Sequence, residues 1–538
     1  MPFLRLVTLA VAASFFAFSP LASAQLIGLQ APPDDWVHLD PDQDGIYGIS
    51  TERAFQELLN GRTPARSVIV AVIDSGVDIT QEGLQGRLWT NPGEIPGNGV
   101  DDDGNGYVDD THGWNFIGGA DGQNVDHDTF EYVREYVRLR GRFENADRAS
   151  LSGADQADYD YFIRMRDGYR EKRDEYANIL GMIEMADEML QPAHRLIAEA
   201  LNTESYTAEK VQALQAISPE LREARDIVLF FLSNNLTAPQ LADERSTFYG
   251  LVNYSLNPEF EPRHIVGDNY ADVTERFYGN PDVHGPDPSH GTGVASVIAA
   301  RPGNEFGVVG VARDSVFIMA VRAVPNGDER DKDVANAIRY AVDNGAAIIN
   351  MSFGKPVSPE KSVVDEAIRY ATERGVLLVH ASGNDAQNID DIPSYPMRHY
   401  DDNAYSSLWM EVGASTAFGE VLAASFSNFG QREVDVFAPG EAVTVLAPGA
   451  TTTSTQGTSF AAPHVAGLAA LLMSYYPELS AADVRRIIID TAVTTTDSAI
   501  PQPGTGDSVS FSSLSAGGGV INVFEAVRAV EAQVLSLR

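Results

Sequence analysis

The stretch that most restricts the fold is Val68-Ile69-Val70-Ala71-Val72-Ile73, closed by Asp74-Ser75-Gly76. A half-exposed strand alternates apolar and polar residues. An unbroken β-branched run has to be covered on both faces, as in a parallel sheet between layers of helix. The same rhythm continues after His290. Spacing predicts helices over 290–300, 331–344, 359–374, 459–476 and 481–491, alternating with strands over 316–324, 346–351 and 376–381 and near 410–413 and 434–437. This is an α/β pattern: a doubly wound, mainly parallel sheet. Functional groups in such sheets collect beyond the carboxyl ends of the strands. Asp74 and the loop after Ala381 occupy such ends.

Residues 127–275 differ in style, being helical, charged and poor in β-branched runs. Met165, Tyr169, Tyr176, Ile179, Ile183, Ala186 and Leu190 keep a heptad-like spacing, interrupted by Lys172. Ser218-Pro219 opens a further helix carrying Ile227 to Phe231. The stretch reads as an inserted helical hairpin or bundle between the two parts of a catalytic domain, 67–126 and 276–538. A polar lead-in, 25–66, precedes them, and the Gly/Ser-rich 504–519 reads as a surface excursion.

Three residues stand where acyl-transfer chemistry needs them. Asp74 ends the buried strand. His290 opens a small-residue helix in Ser289-His290-Gly291-Thr292-Gly293. Ser459 opens another in Gly457-Thr458-Ser459-Phe460-Ala461-Ala462-Pro463-His464, where the first N–H groups of a helix lack intrahelical partners and face outward. A serine hydroxyl needs a base, and the base needs an acid to fix its tautomer. Strand-end aspartates and helix-start histidines often only cap turns, but these three come in one order and each in a glycine-rich setting. The order Asp, His, Ser separates the set from the other common triad folds.

In these boxes the chain resembles the subtilisin-like serine proteases, or subtilases, over residues 67–118 and 280–495. The resemblance implies Ser459 as nucleophile, His290 as general base, Asp74 as its orienting acid and Asn384, in Ala381-Ser382-Gly383-Asn384, as an oxyanion donor. It also implies that Ser352-Phe353-Gly354 and Ala381-Ser382-Gly383 flank the substrate backbone and line its first specificity pocket. The chain departs from the family pattern in three ways: Asp74 and His290 are 216 residues apart, Gly293 replaces a second histidine, and the lead-in is short for a folded inhibitory propeptide. The expected activity is a serine endopeptidase acting on polypeptides. The alternative is an interaction or scaffold protein working through its helical insertion.

Asp101, Asp103, Asn105 and Asp109 follow the alternate spacing of a calcium loop around Gly106, with His112 where an EF-hand has its last glutamate. Structural Ca2+ is expected there, and subtilases often bind it. Asp40, Asp42 and Asp44 begin a similar pattern and then lose it. No histidine pair has zinc-ligand spacing.

The chain carries 76 acidic and 38 basic residues, a net of −38. This disfavours nucleic acid and anionic membrane as partners. There are no cysteines. Arg5, the apolar core 6–18 and Ala22-Ser23-Ala24 read as a secretory signal over 1–24, cleaved after Ala24, so that the mature chain has no membrane span and is secreted or periplasmic.

Overall fold

A computed structural model describes residues 31–234, 236–314, 316–494 and 499–536. The signal segment 1–24 lies outside the described residues. The chain divides into two compact units, one over Tyr132–Glu261 and one built from the segments that flank it.

The larger unit is organised on a seven-stranded parallel sheet. Its strands are β1 (Val68–Asp74), β2 (Gly113–Asn115), β3 (Val316–Arg322), β4 (Ile348–Met351), β5 (Leu377–Ala381), β6 (Trp409–Ser415) and β7 (Val436–Pro439), in the order β2-β3-β1-β4-β5-β6-β7. β1 is central and pairs with both β3 and β4. Its side chains alternate between two cores. Val68, Val70 and Val72 join the core containing helix α4 (Thr458–Tyr475). Ala71 and Ile73 join the opposite one, with helices α2 (Asp331–Asp343) and α3 (Lys361–Glu373). Each such Val or Ile contributes about 1.5–3 kcal/mol by full burial. Helix α1 (Ser289–Ala299) lies on the α4 side, and α5 (Ala481–Asp490) is capped by Ser480 in a capping box. Among the described residues no helix is long and apolar enough to cross a membrane.

Three segments differ in detail from their sequence pattern. The lead-in is part of the core: Trp36 is fully buried, its indole N–H donates to the Ala442 carbonyl at 2.9 Å, and Ile49 and Ala54 are buried beside it. The loop starting at Asp40 is a capped turn, because Asp40 Oδ1 accepts the N–H groups of Asp42 and Gln43 while Oδ2 pairs with Arg53. The Gly/Ser-rich segment returns to the sheet, where Phe437 N–H donates to the Gly519 carbonyl and Ile521 N–H to that of Phe437.

In the helical unit one helix, Gly153–Leu201, contains the heptad-like stretch. Its apolar residues form two patches. Phe162 packs with Leu139 and Phe143, and Tyr136 stacks on Phe162 and Tyr169. Leu180, Ile183, Leu190 and Ile197 pack against Val228 and Phe231 of helix Pro219–Leu232 and Leu241 and Phe248 of helix Ala238–Gly250. Residues 171–175, around Lys172, are exposed between the patches. Residues 262–275 belong instead to the larger unit, where Arg263 pairs with Asp268 and Asp333, and Lys332 with Asp268 and Glu275.

Two buried histidines give the larger unit a pH dependence. His38 donates from Nε2 to the Val309 carbonyl, and His464 from Nδ1 to that of Phe460, each at 2.8 Å. Burial, aided by the Arg313 charge, pulls His38 down to about 4, and burial pulls His464 down to about 3. An unfolded histidine titrates near 6.5, so below that pH the unfolded chain gains protons that the folded chain refuses. The stability these two histidines contribute is therefore full above pH 6.5 and falls as pH drops toward 4. In thermal melts at pH 7 and pH 5, His38→Gln and His464→Gln should each raise the Tm at pH 5 relative to that at pH 7, compared with the unsubstituted chain.

Candidate active site

The site forms where the carboxyl ends of β1, β4 and β5 meet the start of α4. Asp74, the last residue of β1, is 2% exposed. Its Oδ1 accepts the N–H of Ser75 and the Nδ1–H of His290, both at 2.7 Å. His290 sits in the first turn of α1, which must approach the end of β1 closely. Gly291 permits this: a Cβ there would lie 2.1 Å from the Gly76 carbonyl oxygen and 3.1 Å from Asp74 Cβ. Burial lowers the His290 pKa, but the Asp74 charge and hydrogen bond, with the Asp287 charge behind them, outweigh it and hold the imidazole above its ordinary 6.5. The His290 ring lies 5.3 Å from that of Phe460, the residue after Ser459.

Ser459 occupies the first turn of α4 and is half-buried. Gly457 precedes the helix at φ 138°, a conformation L side chains rarely adopt. Asn384, in the loop beyond β5, is exposed. Its Oδ1 accepts both the N–H (2.9 Å) and the hydroxyl (3.0 Å) of Thr458, whose oxygen accepts the Gly383 N–H at 3.1 Å. With the carbonyl end of the amide thus committed, Nδ2 is the end left to donate. Thr458, quoted in the sequence only as part of the Gly-Thr-Ser box, is the residue that holds the Asn384 amide.

A cavity of about 500 Å³ opens beside Ser459, lined by Phe353, Gly354, Ala381, Gly383, Asn384 and Thr458 among others. Of the six residues expected to flank substrate, four line it. The two serines turn inward: Ser352 Oγ donates to the Ser459 carbonyl at 2.7 Å, and Ser382 Oγ to that of Asn428 at 3.3 Å.

The acidic loop is arranged differently from its spacing. Carboxylate oxygens of Glu94, Asp101 and Asp103 lie within 4.8 Å of one another. Glu94 comes from outside the motif and also accepts the N–H groups of Asp102 and Asp109. Asn105 donates from its side chain to Asp103 and Asp110. Asp109 is turned toward the N–H groups of Asn98 and Gly99.

Comparison with known proteins agrees with the family resemblance. The model of the subtilase family matches residues 65–509. The thermophilic serine proteinase of Bacillus sp. (strain AK1) is 36% identical over 224 residues, 41% of this chain and 50% of that protein. Subtilisin DY of Bacillus licheniformis is 37% identical over 211 residues, 39% and 72% respectively. Thermitase of Thermoactinomyces vulgaris is 37% identical over 234 residues, 42% and 77%. The chain thus spans about half the length of the first of these relatives.

The approach at Gly291 gives a direct test. Gly291→Ala drives a Cβ into backbone, and overpacking of this kind costs about 1–3 kcal/mol. Denaturant unfolding should show that loss, and the proton of the Asp74–His290 hydrogen bond, visible far downfield by NMR, should shift or broaden.

Proposed function

The chain belongs to the subtilase family, and from that premise we propose that it is a serine endopeptidase that hydrolyses peptide bonds through an acyl-enzyme. The observation that carries the proposal is the 2.7 Å hydrogen bond between Asp74 and His290, at the carboxyl edge of the sheet that also presents Ser459. Ser459 Oγ attacks the scissile carbonyl. His290 accepts its proton and returns it to the leaving amine, while Asp74 holds Nδ1–H and stabilises the imidazolium. Asn384 Nδ2 and the Ser459 N–H donate to the oxyanion, and Thr458 keeps the amide turned so that Nδ2 faces it. An extended peptide lies along 352–354 and 381–383, with one side chain in the cavity. A secretory signal over 1–24 would deliver the enzyme outside the cytoplasm.

The loop over 94–110 supports a structural Ca2+ site. Three converging carboxylates supply the hard oxygen donors that this cation prefers. Glu94, Asp101 and Asp103 would hold it, and its effect is on stability, not on the chemistry at Ser459.

Ser459→Ala should abolish labelling by a fluorophosphonate and lower peptide turnover by about 10⁶-fold, and Asn384→Ala should lower kcat by about 10²–10³-fold. Turnover that persists in Ser459→Ala overturns the assignment. Because His290 acts as a base, kcat/KM should fall as pH drops through its pKa, with a midpoint above 6.5.

For calcium, removing a cation present at 100 times its Kd withdraws about 2.7 kcal/mol. EGTA should lower Tm, and Glu94→Gln should weaken that response. An identical Tm with and without chelator removes the site.

A further inference from the structure

Helix α4 contains Pro463, four residues after Ser459. In an α-helix the N–H of residue 463 would bond to the carbonyl of residue 459, and proline has no N–H. The residue that bears the hydroxyl of interest therefore has a carbonyl without its intrahelical donor. Left so, it would be an acceptor without its helical partner at a proline, where helices kink.

A side chain from the sheet replaces the missing donor. Ser352, just beyond β4, is 4% exposed, and its hydroxyl donates to the Ser459 carbonyl at 2.7 Å. Its oxygen accepts Nδ2 of Asn350 at 2.9 Å, and Asn350 lies fully buried in β4. Nδ2 of Asn350 thus occupies an acceptor site of the hydroxyl, and the Ser352 proton goes to Ser459. The chain Asn350, Ser352, Ser459 ties the nucleophile's peptide plane to the rigid centre of the sheet. Ser352 lies in a segment expected to flank substrate, yet its side chain faces away from the cavity.

We propose that Ser352 is a positioning residue for the nucleophile: it replaces the hydrogen bond that Pro463 removes and so fixes the backbone from which Ser459 Oγ projects. The proposal rests on Ser459 being the nucleophile. It predicts that the need for the Ser352 hydroxyl depends on the proline.

The test is a double-mutant cycle in the full chain, with rates normalised to fluorophosphonate-titrated sites. Ser352→Ala should lower kcat and the labelling rate by about 10-fold, the worth of one well-placed hydrogen bond, with KM nearly unchanged. Ser352→Thr, which keeps the hydroxyl, should restore most of the rate. In a Pro463→Ala background residue 463 supplies its own N–H, and removing the Ser352 hydroxyl should then cost about 2-fold or less, the coupling expected of residues that share one partner. An equal loss from Ser352→Ala with and without Pro463, or a change confined to KM, overturns the proposal. Should Ser352→Ala fail to fold, Ser352→Cys, a weaker donor of similar size, carries the same comparison. Wild-type protein that takes no label would instead refute the nucleophile assignment itself.

Discussion

The structure depends on a hydrogen bond between two residues that are far apart in the chain. Asp74 and His290 are separated by 216 positions and meet at 2.7 Å. A contact of that length survives a long intervening segment only if the segment's ends are held together. The larger unit does this. Asn115 and Asn280 exchange both N–H···O bonds, at 3.0 and 3.1 Å, so the end of β2 leading out is paired with the segment returning. Asn280 also takes the side-chain amide of Asn115 on its Oδ1 and donates to the Gly119 carbonyl. Closed there, the loop beyond can lengthen at little cost to the geometry of the site, since the entropy of closing a loop grows only logarithmically with its length.

The surroundings of this neck are charged as well as buried. Arg330 pairs with Asp128, Lys355 with Glu131 and Asp331, and Arg263 with Asp268 and Asp333. Tyr278 adds its hydroxyl to Asp333 at 2.6 Å. Buried ion pairs contribute little net stability, because desolvation offsets most of the attraction, but breaking one partner is costly. A registry role follows: the pairs are satisfied in one alignment of 126–131 and 262–280 against Arg330, Lys355 and the first turn of α2. That turn, Asp331-Lys332-Asp333, is wholly buried.

This network also marks the limit of what the sequence discloses. The parallel sheet is legible because Val68–Ile73 has no polar position and is therefore covered on both sides. The boxes around Asp74, His290 and Ser459 are legible because each joins a polar side chain to a glycine that the backbone requires, for close approach at Gly291 and for a positive φ at Gly457. Asp331, Lys332 and Asp333 look like the solvent face of an amphipathic helix, and only their distant partners make them interior residues. Glu94 joins the acidic cluster from outside any spacing motif. Trp36 lies in a polar, proline-rich stretch whose composition hides its packing. In each case the deciding partner is remote in sequence, so no local pattern carries the information.

Pro463 shows the same limit in the opposite sense, as a local conflict whose resolution is remote. Helix α4 is otherwise suited to its central place. It lies against β1, β4, β5, β6 and β7, Gly467 lets it approach Val311 and the Ile298 carbonyl, and nearly every residue in it is buried. A proline in its first turns breaks the rule that buried backbone groups are paired. Such conflicts persist where something nearby resolves them, and they cluster at functional sites. Here the resolution is the Ser352 hydroxyl, just beyond β4, which joins the end of the sheet to the start of the helix at Ser459. A misplacement of about 1 Å can cost 10²-fold in rate, and a side chain anchored to a central strand is a better guard against it than the first turn of a helix alone.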